Sequence, residues 1–169
     1  MVELSAALAV GAVVSTGAIA LGSHAFRANA ISGEVDLVHG IVSSVHSIFA
    51  GSPDYAGISS YDIRTVPGFS AHIATLPGIG PAIVTPAGQR IAVTSTPGQH
   101  VFYISIPAAS PAECLALAEI DDPIWLASSS LASGGGAVTY SGPASAALVA
   151  PICAAASNGS PATIRLTYR

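Results

Sequence analysis

The chain has 169 residues, 51% hydrophobic against 8% charged, with a mean hydropathy of +0.63, a mixture too apolar for a disordered tail. Its positive charge is five arginines with no lysine, and nine acids bring the net to −4, so it has no basic field to hold nucleic acid or anionic lipid. The first of its twelve prolines is Pro53, which separates a proline-free leading segment from a part rich in turn signals.

Residues 4–22 read LSAALAVGAVVSTGAIALG without a charge. As a helix this run reaches about 28 Å, close to the hydrocarbon thickness of a bilayer, and it is expected to span one. Glycine and serine make it a weak anchor. Small residues recur at helix-packing spacing: Ala7, Gly11 and Ser15 lie four apart, as do Ala18 and Gly22, with Gly17 beside them. An alanine-rich composition alone also produces such spacing. A secretory signal ending at Ala28-Asn29-Ala30 is the competing reading, but it wants a basic start and a shorter apolar run, and Met1-Val2-Glu3 is acidic. Glu3 places a carboxylate at the edge of the span. Either it pairs with a cation, the Met1 ammonium being nearest in sequence, or it sits solvated where a helix N-terminus favours negative charge.

Beyond Gly22 the pattern becomes periodic. Ile31, Val35, Val38, Val42, Val45 and Phe49 fall at helical spacing with Ile41 and Ile48 beside them, while Glu34, Asp36, Ser43 and Ser47 are interleaved. One helix of about fifty residues is expected, ending at Gly51-Ser52-Pro53. Residues 1–23 form its apolar half; residues 24–169 form a head that includes the amphipathic half, about 24–51.

After Pro53, strand signals appear at residues 82–85, 90–94, 100–106 and 162–168, enough for a small antiparallel sheet of three or four strands. Pro86-Ala87-Gly88-Gln89 and Thr96-Pro97-Gly98-Gln99 are tight connections. Ser110-Pro111-Ala112-Glu113 is a capping-box pattern opening a helix that holds Cys114, and a second helix over 143–156 holds Cys153. Two cysteines behind a membrane-spanning segment read as a disulfide formed outside the cytoplasm; two buried free thiols are the alternative.

The five histidines, His24, His39, His46, His72 and His100, show no tight ligand spacing, so neither metal nor cofactor is expected. Catalytic patterns are missing as well: there is no G-x-S-x-G, P-loop or H-E-x-x-H, and Gly134-Gly135-Gly136 lacks the surroundings of a phosphate cradle. Glu119, Asp121 and Asp122 read as a solvated loop before a cation site, and Asn158-Gly159-Ser160 as a turn before a glycosylation sequon.

A charged residue before an apolar run, a continuous helix to residue 51 and a sheet with a late disulfide together resemble the type IV pilins, specifically the bundlin-like type IVb group. The stretch Ile48-Phe49-Ala50-Gly51-Ser52-Pro53-Asp54-Tyr55-Ala56-Gly57-Ile58 is similar to the LYxGxxxYxGL passage of that group. Val84-Thr85-Pro86-Ala87-Gly88-Gln89-Arg90-Ile91 resembles its TPxGG turn and strand, and Ile106-Pro107 with Glu113-Cys114-Leu115-Ala116-Leu117 resembles its first cysteine helix. The likeness covers most of residues 3–117, and beyond Gly134 it rests on Cys153 and the terminal strand.

The resemblance implies an α+β pilin fold, a long N-terminal helix packed on a small antiparallel head closed by a C-terminal disulfide. It implies a structural subunit and no enzyme, polymerising with copies of itself. Before assembly the subunit would sit in the bacterial inner membrane with its head in the periplasm, handled by a prepilin peptidase and the pilus machinery. Afterwards it would be part of an extracellular fibre meeting host or bacterial surfaces in adhesion, aggregation, motility or conjugation. Glu3 would neutralise the Met1 ammonium of an adjoining subunit and set axial register. The proline common near the end of the family's apolar segment is missing, and Gly17 and Gly22 occupy that region, so the helix is expected to loosen around Gly11–Gly22 in a filament. Two other functions share parts of this pattern: a minor pilin or type II secretion pseudopilin, and a tethered periplasmic binding module.

Overall fold

The computed structural model describes residues 29–169, apart from positions 97, 99, 135, 143 and 158. The apolar run and its small-residue ridges therefore lie outside the described residues. Helix α1 occupies 29–48 and follows the expected stripe: Val38, Ile41 and Val45 are wholly buried, with Leu37 and Val42 nearly so. It closes where the sequence signals a stop. Gly51 takes φ 89°, a left-handed conformation that costs a glycine least, and the Ser52 N–H donates to the Phe49 carbonyl at 2.9 Å. Gly40 serves a different need, because a Cβ there would stand 3.6 Å from the Phe69 ring, which packs across the helix. Two residues depart from the stripe: Ile48 is 45% exposed, whereas Glu34, read as part of the polar face, is buried.

Helix α2, Ser60–Arg64, is too short for a hydrophobic period to reveal. It is held by its cap and by the segment that carries Val93: the Asp62 carboxylate accepts from both the N–H and the hydroxyl of Ser59, and the Ser60 hydroxyl accepts from the Val93 N–H at 2.8 Å. A 3-10 turn, Ser70–His72, leads into β1, Ile73–Leu76, which pairs antiparallel with β2, Gly80–Ile83.

The main sheet is larger than the three or four strands expected. Five antiparallel strands stand in the order β3-β4-β7-β5-β6: β3 is Ala92–Ser95, β4 Phe102–Ala108, β5 Leu126–Ser133, β6 Gly136–Tyr140 and β7 Ala162–Tyr168. The central pair shows why it forms. Phe102, Ile104, Ile106 and Ala108 of β4 stand opposite Tyr168, Leu166, Ile164 and Ala162 of β7, and all eight are completely buried. Period-two alternation on both strands thus fixes one register and one buried face. The other face carries Arg165, whose guanidinium lies 3.8 Å from the Tyr103 ring centre.

Helices α3, Pro111–Ala118, and α4, Ala146–Cys153, complete the head, α4 being shorter than the 143–156 expected. Their buried residues Cys114, Leu117, Val149 and Cys153 join those of α1 and the sheet in a single apolar cluster. The fold is therefore α+β, with the expected disulfide formed between Cys114 and Cys153 across a Cα separation of 5.5 Å. Closing a 39-residue separation constrains the unfolded chain by about 4 kcal/mol.

Candidate functional site

The residues expected to direct assembly, Met1, Glu3, Ala7, Gly11, Ser15, Gly17, Ala18 and Gly22, lie outside the described residues, as does the loosening expected at Gly11–Gly22. Among the described residues no helix is long and apolar enough to cross a membrane. What the structure displays is how α1 is fastened to the head. There are two polar fastenings, one near each end of α1.

The first is built on Glu34. α3 begins at Ser110, in extended conformation, with Pro111 in the first turn; the Ser110 hydroxyl accepts from the Glu113 N–H at 3.3 Å, half of the expected capping box. The other half is altered, since Glu113 Oε2 accepts from the Ala109 N–H at 2.8 Å rather than from the cap residue. This bond turns the Glu113 side chain back toward α1, where it meets Glu34. Glu34 is 3% exposed and Glu113 5% exposed. Burial, the hydrogen bond with Glu113 and the charge of Glu113 push Glu34 up to about 8, against a smaller opposing effect of the Thr85 hydroxyl. Thr85 belongs to the turn after β2, where its N–H donates to the Gln89 carbonyl and its own carbonyl accepts from Gly88. A cavity of about 510 Å³ lies against this junction, with Ala30, Ile31, Pro86 and Ala87 among its walls.

The second fastening is His46. Its ring lies 4.0 Å from that of Trp125, 5.7 Å from Phe102 and 5.9 Å from Tyr55, centre to centre. Nδ1 is hydrogen-bonded with the Tyr55 hydroxyl at 3.1 Å, and Nε2 is enclosed without a partner. Burial disfavours the charged imidazolium and holds the imidazole below its ordinary pKa; the Asp122 carboxylate opposes this in part. Tyr168 stacks on Phe102 behind the cluster at 5.4 Å, its hydroxyl also buried and pushed upward by burial.

Asp122 has a local task as well. Its Oδ1 accepts from the N–H groups of Ile124 and Trp125, setting the turn that presents the tryptophan to His46. This matches the loop reading of that acidic stretch. Among the described residues no group of histidine, cysteine, aspartate or glutamate is arranged to hold a metal ion. His39 and His46 line one groove with Asp122 and Trp125 but form no ligand set. Ser157 and Ser160 exchange backbone hydrogen bonds across a tight turn, while Asn158 itself lies outside the described residues. Neither Glu34 nor His46 stood out in the sequence, and only the spacing of Ser110 and Glu113 signalled part of the first fastening.

The described residues thus form a disulfide-closed antiparallel head locked to an amphipathic helix by an apolar stripe and two polar contacts. A family model described as Bundlin matches residues 23–169, and the chain belongs to that family, the bundlin-like pilins of type IVb pili. It is thus a pilin, a structural subunit class of the extracellular type IV pilus. Comparison with curated proteins and with solved structures finds no match.

Proposed function

We propose that the chain is a major pilin that polymerises with copies of itself into a pilus through its N-terminal helix. The observation that supports this most directly is the family match, which takes in α1 and the whole head. In this reading residues 1–23 are parked in the inner membrane and later stacked in the fibre core, while residues 24–169 form the outer wall. Glu3 pairs with the Met1 ammonium of a neighbour and sets register. Ala7, Gly11, Ser15, Gly17, Ala18 and Gly22 allow close helix approach. A prepilin peptidase and the assembly machinery process and extract the subunit. A head-to-tail contact that does not close yields an open helical fibre, which serves adhesion, aggregation, motility or conjugation.

The test is Glu3→Ala in cells that make the fibre. The variant is expected to fractionate with the membrane as the unaltered chain does, while electron microscopy shows fibres lost or sharply reduced. Normal piliation would remove Glu3 from the assembly contact. Finding the chain only in trace amounts within purified fibres would replace the major-pilin reading with a minor pilin or pseudopilin. Ligand-dependent stabilisation of a protein that enters no fibre would favour a tethered binding module.

A further inference from the structure

Glu34 and Glu113 come from different elements, both are more than nine-tenths buried, and each carries one enclosed oxygen, Glu34 Oε2 and Glu113 Oε1, without a hydrogen-bond partner. Both side chains line the same cavity, and the charge of Glu113 acts on Glu34 there. As two carboxylates they would repel through a poorly solvated gap, and their two enclosed oxygens would remain without a donor. One proton between them removes the repulsion and supplies the missing donor. We propose that Glu34 and Glu113 form a proton-held latch, in which a single shared proton fastens α1 to the start of α3 and its release to water loosens that end of the helix from the head.

The surroundings divide the roles of the two acids. Glu113 accepts a backbone N–H and stands in the first turn of α3, where the helix dipole favours negative charge, so the charge settles there and the proton on Glu34. The facing groups are few. From α3 comes Glu113; from the turn after β2 comes the uncharged Thr85, with Arg90 exposed at the far end of that turn; α1 adds Asp36, which is exposed. Arg27 lies outside the described residues. The walls supplied by Ala30, Ile31, Pro86, Ala87, Pro111 and Ala112 offer no charge. The proton is therefore the counter-charge available at this junction among the described residues.

The direction of the pH effect follows. Glu34 rises from 4.5 to about 8 on folding, so the folded chain holds a proton that the unfolded chain has released across that interval. The latch is complete below about pH 4.5 and is lost as pH rises to about 8. This inference stands whether or not the chain forms fibres.

The experiment is reversible urea unfolding of the full chain in detergent from pH 5 to pH 9. In the unaltered protein the unfolding constant is expected to rise by up to about tenfold per pH unit toward pH 8, relative to Glu34→Gln, whose amide donates to Glu113 at every pH. Infrared spectra of the folded protein should show a protonated carboxyl at pH 7 that disappears by pH 9 and is absent from Glu34→Gln. Should Glu34→Gln not fold, Glu113→Gln takes its place and is expected to reduce the same slope. Parallel pH slopes in the unaltered chain and in the variant that folds, or no protonated carboxyl at pH 7, would overturn the latch.

Discussion

The two ends of α1 bury opposite kinds of acid–base group, roughly 18 Å apart along the helix axis. At the Glu34 end burial and, after it, a second acid favour the protonated form of an acid, so the proposed attachment weakens as protons are withdrawn. At the His46 end a base is kept neutral by aromatic rings, so the attachment weakens as protons are added. The apolar stripe between them, Val38, Ile41, Val42 and Val45, is indifferent to pH. One helix therefore carries two attachments of opposite pH response, and the difference shows how the partner across the gap, rather than the helix, sets the chemistry of each contact.

The largest test of this contrast is to remove the disulfide. Replacing Cys114 and Cys153 together by alanine is expected to cost about 4 kcal/mol, read as a fall in the urea midpoint. Cys114 adjoins Glu113, so the loss should also admit water to the Glu34 end and flatten its alkaline pH dependence. The His46 resonances should titrate as before; equal disturbance at both ends would mean that the fastenings are one unit. A smaller effect is expected from Tyr55→Phe, which removes the hydroxyl hydrogen-bonded with His46 Nδ1 and should cost about 1 kcal/mol in the same measurement. Glu34 should not respond to that change.

The smallest effect belongs to the acid limb. His46 binds its proton less readily in the folded chain than in the unfolded one, so its contribution is fully present above about pH 6.5 and declines as pH falls below that value. A stability profile of His46→Phe should lack this decline while keeping the alkaline one. If both limbs persist, His46 is not the group responsible. Because the ring is only part-buried, the decline should be shallower than that at the Glu34 end.

Much of the head was legible in the sequence because its signals are local. The stripe from Ile31 to Phe49, the stop at Gly51-Ser52-Pro53, the cap at Ser110 and the alternation of β7 each depend on residues within a turn or a strand of one another. β5 and β6 were missed for a physical reason. Residues 126–133 read LASSSLAS, which has little β-branched or aromatic content, and a bulge between Leu126 and Ser128 interrupts the alternation. This run is a strand because β7 lies beside it, and Gly136 pairs with its last residue, Ser133, to open β6.

The sequence by itself determined which segments have an apolar face, where they stop and which cysteines are available, because period and turn chemistry act over a few residues. Only the tertiary structure decided that Glu34 meets Glu113 and that His46 meets Tyr55, Phe102 and Trp125. A charge's environment depends on whatever the folded chain brings against it, and an interleaved polar residue carries no local mark of the partner that will enclose it.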